Sequence, residues 1–239
     1  MRPKIICHMT TSIDGKVTGD FLSHPASEAA IESYYEINRE YKKKGSGGFI
    51  CGRVTMEESF TGGFYPDLLR YKPVEKCLGH YMNCWFDEVL EEAGYFAIAF
   101  DPKGRLGWQS NVIEDEDPGY GGATVIEVLT EEVDPRYLAY LEEKEISYCF
   151  AGESEIDVPL ALEILKMHLS PGCYLLEGGS IVNGYFLRAD CVDELSLVVA
   201  PVIADADAKP LFSDGNLCDF ALNSAEEVNG TLILNYQRK

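Results

Sequence analysis

The chain has 239 residues, 46% of them hydrophobic and 25% charged, the profile of a folded globular protein with a substantial core. Its 20 Lys and Arg stand against 40 Asp and Glu, and the resulting net charge of −20 argues against nucleic acid or an anionic membrane as partner. No apolar run approaches the roughly 20 residues of a membrane span, and the N-terminus lacks signal-peptide architecture, so a cytoplasmic protein with reduced thiols is expected despite its 8 cysteines.

Lys4 to Thr10 reads as a first strand. Ala26 to Lys44 reads as a helix, with Ala30, Tyr34, Ile37 and Tyr41 on one face and a Lys42-Lys43-Lys44-Gly45 stop signal. Gly48 to Cys51 is a short strand, and a helix starts near Arg53 and runs to about Phe60. Gly62 to Tyr81 is mostly loop. Tyr95 to Phe100 is a strand closed by the turn Asp101-Pro102-Lys103-Gly104. After an acidic loop, Asn111 to Gly122, come strand Thr124–Leu129, helix Pro135–Lys144 and strand Ser147–Ala151. A helix capped by Asp157 runs to Leu169. Tyr174 to Leu176 is a strand, Ser180 to Arg188 a helix and Leu195 to Ile203 a long strand. Phe220–Ser224 and Thr231–Tyr236 form a closing antiparallel pair. This alternation predicts an α/β fold over residues 1–239 in a single domain: a mostly parallel sheet, helices on both faces and an antiparallel C-terminal edge.

In open α/β sheets ligands bind beyond the carboxyl ends of the strands, and three strand-to-helix turns carry chemistry there. In Leu176-Glu177-Gly178-Gly179-Ser180, two glycines admit a close ligand, Ser180 is a helix cap, and the N–H groups of Gly179, Ser180 and Ile181 suit a phosphate. An ordinary capped Gly-Gly turn fits the same residues. In Cys51-Gly52-Arg53-Val54-Thr55, Arg53 supplies a planar cation beside a helix start, which favours a 2′-phosphate and so NADP over NAD; an Arg on a solvated first turn fits too. In Thr11-Ser12-Ile13-Asp14-Gly15-Lys16, Asp14 can orient the loop or bind a ligand and Lys16 can meet a phosphate, although a plain Asp-Gly turn is equally compatible.

Taken in order, Ser12-Ile13-Asp14-Gly15-Lys16, Gly52-Arg53-Val54-Thr55, Asp101 to Trp108, Glu177-Gly178-Gly179-Ser180 and Asp193-Glu194-Leu195 leading to Ala200-Pro201-Val202-Ile203 resemble the reductase domain of bifunctional riboflavin-synthesis enzymes. The resemblance spans nearly the whole chain. It implies a dihydrofolate-reductase-like fold, NADPH as cofactor, a homodimer, and reduction of the ribosyl group of a pyrimidine ribosyl phosphate to a ribityl chain. It implies further that Thr11, Gly52, Arg53, Thr55, Gly178, Gly179, Ser180, Ile181, Val182 and Asn183 serve the cofactor. Glu177 falls on the substrate side, together with His8, Lys16, Lys43 and Ser59. Ser59 stands where those relatives carry Asp, and His8 where they carry Lys. Those two departures leave open another heteroaromatic or pteridine-like substrate, and a nucleotide-binding protein without catalysis remains the contrasting class. If a proton is needed with the hydride, Glu177 and Asp14 are the candidate donors, followed by His8. The deaminase zinc motif of the bifunctional enzymes is absent from the sequence. Cys77, His80 and Cys84 have metal-like spacing but lack an evident fourth ligand, so no metal is expected.

Overall fold

The computed structural model describes residues 2–78, 82–83, 94–169 and 171–239. By backbone contacts the chain forms two compact units: residues 47–172 with the N-terminal tip, and residues 4–46 with 173–239.

The first unit carries strands β2 (Gly48–Gly52), β3 (Met82–Asn83), β4 (Phe96–Phe100), β5 (Thr124–Leu129) and β6 (Ser147–Phe150). β2, β4, β5 and β6 pair in parallel, with β4 between β2 and β5; β3 pairs antiparallel with β6. Every residue of β2, β4, β5 and β6 is buried. That is why β2 and β4 read as unbroken apolar runs: a parallel strand covered on both faces has no solvated side to alternate with, and even the polar Thr124 and Glu127 of β5 and Ser147 of β6 are buried. α2 (Arg53–Met56) continues as a π-helical turn, Glu57–Thr61, where an unbroken helix to Phe60 was expected. α3 (Pro135–Glu143) has Pro at its start and Asp134 capping the Arg136 N–H at 2.9 Å. α4 (Val158–Leu169) opens on Asp157, which accepts from the Leu160 N–H at 3.0 Å. Within the expected loop, described as far as Leu78, only Leu68–Arg70 forms a 3-10 turn.

In the second unit, β1 (Lys4–Thr11) lies between β7 (Cys173–Leu176) and β8 (Glu194–Val199), parallel to both. β10 (Thr231–Arg238) joins β8 antiparallel, and β9 (Phe220–Val228) closes the edge antiparallel to β10. Asn229 and Gly230, both at positive φ (52° and 80°), make the tight turn of that hairpin. β8 ends at Val199 rather than running to Ile203. Pro201 has no N–H for a ladder, and the Val202 N–H folds back onto the Ala200 carbonyl. α1 (Glu28–Lys43) lays Ala30, Tyr34 and Ile37 against Phe21, Val198 and Ala200, the stripe expected from its spacing. α5 (Ser180–Arg188) follows β7 directly.

The α/β class, the mostly parallel pairing and the antiparallel closing strands are those expected from the sequence. The seven described cysteines are free; Cys7, Cys51 and Cys149 are buried, and Cys173 is half-buried.

Candidate active site

The second unit gathers two of the three sequence motifs. β7 ends in buried Glu177, and a cis peptide joins Gly178 to Gly179 before α5 begins. The Met9 side chain packs against Gly178, within 3.2–3.3 Å of where a Cβ would stand. Gly179, not Ser180, is the N-cap, and no side chain caps α5. The Ser180 hydroxyl is turned away, donating to the Pro210 carbonyl at 2.5 Å. The helix therefore starts with backbone N–H groups that no side chain claims, beside a residue with no Cβ. That arrangement suits the oxygens of a phosphate and fits a dinucleotide cofactor. Ile181 at this end is half exposed; Val182 and Asn183 are buried.

Thr11, buried at the end of β1, leads into the Ser12–Lys16 loop. There Asp14 is exposed and works as an anchor. Its Oδ1 accepts from the Ser12 hydroxyl at 2.7 Å and from the Ala204 N–H at 3.0 Å. Those bonds, the Ser12 one first, hold its carboxyl below the usual carboxylate range. The half-buried Lys16 forms an isolated antiparallel bridge with Pro210. Asn183 Nδ2 donates to the Leu211 carbonyl at 3.0 Å. The segment Ala204–Leu211 thus ties the Asp14 loop to the head of α5, a role that its sequence did not reveal.

His8 is fully buried and stacked on Tyr34, with ring centroids 4.4 Å apart and planes 1° from parallel. Its Nε2–H donates to the Tyr34 carbonyl at 3.1 Å, leaving Nδ1 to accept from the Ser196 hydroxyl at 3.0 Å. Burial pushes the ring pKa down to about 4. Both nitrogens being engaged inside the core, this geometry is that of a structural histidine and does not support substrate contact. Lys43 lies exposed at the end of α1, paired with Glu40 at 2.9 Å.

One residue that sequence reasoning missed sits against Glu177. Asn38 of α1 is fully buried and donates from Nδ2 to Glu177 Oε1 at 2.6 Å. Its signal was a polar residue inside an apolar stripe, one helical turn after Tyr34.

In the first unit, Gly52 is buried, Arg53 and Thr55 are half-buried, and Ser59 is exposed in the π turn. Arg53 does not stand free: it pairs with Glu57, whose other oxygen accepts from the Tyr65 hydroxyl. A second polar group lies deeper. Glu127 and Asp101 are both buried, and burial first, then the Asp101 charge, raises the Glu127 carboxyl well above its ordinary range. Trp108 Nε1 donates to Glu127, whose Oε1 also lies 3.3 Å from the Tyr137 hydroxyl oxygen, while the Arg105 and Leu106 N–H groups donate to Asp101. The Tyr137 hydroxyl holds the Leu106 carbonyl at 2.8 Å, and Tyr140 holds that of Trp108. The Asp101–Trp108 segment is therefore fastened to β5 and α3 by buried polar bonds.

Two surface hollows in this unit contain none of the expected site residues. One of about 210 Å³ is lined by Glu75, Cys77, Asn83, Glu142, Tyr148 and Phe150, and a shallower one of about 820 Å³ runs between Leu69 and Arg136. Cys77 is exposed, while His80 and Cys84 lie outside the described residues. Among the described residues no group of three or more His, Cys, Asp or Glu side chains could hold a metal ion, and no helix is long and apolar enough to cross a membrane.

Comparison with known proteins matches residues 110–234, more than half of the chain, to the RibD C-terminal domain. The 2,5-diamino-6-ribosylamino-4(3H)-pyrimidinone 5′-phosphate reductase of Methanothermobacter thermautotrophicus is 26% identical over 224 residues, covering 92% of this chain and 88% of its own. Among solved structures, a pyrimidine reductase-like protein from Corynebacterium diphtheriae superposes with a TM-score of 0.67 at 18% identity, over 99% of this chain and 92% of that one. Acinetobacter baumannii RibD superposes at 0.64 with 15% identity; the whole of this chain matches 58% of that longer one.

Proposed function

Because the chain belongs to the RibD C-terminal domain family, we propose that it is an NADPH-dependent reductase that converts the ribosyl group of an aminopyrimidine ribosyl phosphate into a ribityl chain. The substrate to try first is the diaminopyrimidinone ribosyl phosphate named for the Methanothermobacter relative. The observation that carries this reading is the head of α5: a buried carboxylate at a strand end, two glycines after it, and a helix start without a side-chain cap.

In this reading the N–H groups from Gly179 through Val182 hold cofactor phosphate, with Gly178 and Asn183 shaping the turn and Thr11 beside it on β1. Bound NADPH supplies the hydride, and one proton is taken up with it. Glu177 holds the pyrimidine as a hydrogen-bond acceptor. Asp14 fixes its loop, so it is a weaker candidate for the proton than the sequence alone implied. Lys16 and Lys43 remain candidates for the substrate phosphate, and Ser59 for a polar contact. Gly52, Arg53 and Thr55 remain candidates for the cofactor. A 2′-phosphate on Arg53 must compete with Glu57, which already neutralises the guanidinium.

The test is NADPH binding with NADH as control, followed by turnover of the diaminopyrimidinone substrate. Binding that prefers NADPH, weakens in Arg53→Ala and tightens in Glu57→Gln supports this reading in full. Failure to bind either nucleotide refutes it.

A further inference from the structure

Glu177 is 6% exposed and Asn38 is 0% exposed, so the bond between them forms out of water. An amide –NH₂ can only donate. At 2.6 Å from Glu177 Oε1 it favours the ionised carboxylate, because the alternative, an amide oxygen against a carboxyl oxygen, would need a proton on Glu177. The Asn38 Oδ1 has no partner of its own. A fully buried amide whose oxygen has no partner is costly to the fold, and a leucine would fill the same space on this apolar helix stripe at lower cost. On the β1 side of Glu177 lies Cys7, whose thiol is pushed up, by burial first and by the Glu177 charge second; it is therefore protonated and cannot balance the carboxylate.

We infer that Asn38 is a positioning residue: its side-chain amide fixes Glu177 as an ionised hydrogen-bond acceptor for an N–H of the pyrimidine. This rests on the reductase reading above. It adds to the site a buried residue from the middle of α1, the helix whose last residue is Lys43.

The experiment follows kcat/KM against pH with saturating NADPH for the wild type, Asn38→Leu, Asn38→Asp and Glu177→Gln, with NADPH affinity and thermal melting measured alongside. Asn38→Leu should lower kcat/KM about ten- to hundred-fold, the range for a lost hydrogen bond to a charged group, and move the acid limb to higher pH. NADPH affinity should stay within about three-fold, since the head of α5 is untouched. In Asn38→Asp the introduced carboxyl donates while protonated and repels once ionised. Activity should therefore return toward acid pH and fall as pH rises, opposite to the wild-type limb. Glu177→Gln should abolish the acid limb, and adding Asn38→Leu to it should change the profile no further. If Asn38→Leu does not fold, the Asn38→Asp profile decides alone. An active wild type whose Asn38→Asp profile parallels its own overturns the role of Asn38 and leaves the reductase reading standing. A wild type that binds NADPH but reduces no aminopyrimidine ribosyl phosphate overturns both.

Discussion

Three glycines of the first unit separate backbone strain from steric overlap, and one of them, Gly104, combines the two. Gly104 has φ +62°, and a Cβ built on it would lie 2.3 Å from Tyr137 Cδ1 and 2.6 Å from Val133 Cγ2. Neither neighbour can swing aside, because Tyr137 is 0% and Val133 1% exposed. A left-handed alanine costs about 1–2 kcal/mol, and forcing a methyl into a packed site costs about 1–3 kcal/mol more. Gly104→Ala should therefore lose about 2–5 kcal/mol, lowering Tm by roughly 4–20 °C for a chain of this size. Gly122 has φ +78° with nothing within 4 Å, so Gly122→Ala should lose only the strain, about 1–2 kcal/mol. Gly107 has no such φ, but its Cβ would lie 2.0 Å from the Phe64 carbonyl oxygen, so Gly107→Ala isolates the overlap, about 1–3 kcal/mol. Denaturant unfolding of the three variants gives the comparison. The packing argument fails if Gly104→Ala costs no more than Gly122→Ala. Because the Tyr137 hydroxyl holds the Leu106 carbonyl, Gly104→Ala should also loosen the Asp101–Trp108 segment, visible as faster amide exchange there.

Two further predictions concern pH. His8 has a folded pKa of about 4 against an ordinary 6.5. Between those values the unfolded chain binds a proton that the folded chain refuses, so stability falls as pH drops through that window, by about 3 kcal/mol in all. His8→Phe keeps a ring on Tyr34 and should flatten that part of the stability–pH curve; an unchanged slope would refute the assignment. Glu127 runs the other way, its folded carboxyl holding a proton that the unfolded chain releases earlier, so its contribution to stability declines as pH rises past the ordinary carboxylate range. Glu127→Gln should therefore gain on the wild type progressively as pH rises above the ordinary carboxylate range, and a difference independent of pH would sink the argument.

Much of this molecule was legible along the chain. The apolar runs of β2 and β4, the stripe Ala30-Tyr34-Ile37 and the stop at Gly45 depend on local chemistry: burial on two faces, helical period, and a glycine at φ +87°. The motifs at Glu177 and Asp14 were legible for the same reason, since turns are written in residues a few positions apart. Ser180 was misread as a cap because its competing partner, the Pro210 carbonyl, lies 30 residues away. The end of β8 was overrun because Leu197 to Ile203 carries no polar side chain, and only the ladder shows where pairing with β1 stops.

What the sequence by itself determined, then, is the order and type of the elements and the turns that carry polar chemistry, because propensity, periodicity and turn stereochemistry act over a few residues. Only the tertiary structure decided how individual side chains are used. Asn38 meets Glu177 across 139 residues, His8 is locked between Tyr34 and Ser196, Arg53 is neutralised by Glu57, and Glu127 is buried beside Asp101. Most of these pairings join residues distant in the chain. Arg53 and Glu57 are the exception, and even there the spacing leaves open whether the guanidinium meets a carboxylate or a phosphate. Whether a charge or a ring nitrogen is available to a ligand depends on its desolvation and its partners, and both are properties of packing rather than of sequence neighbourhood.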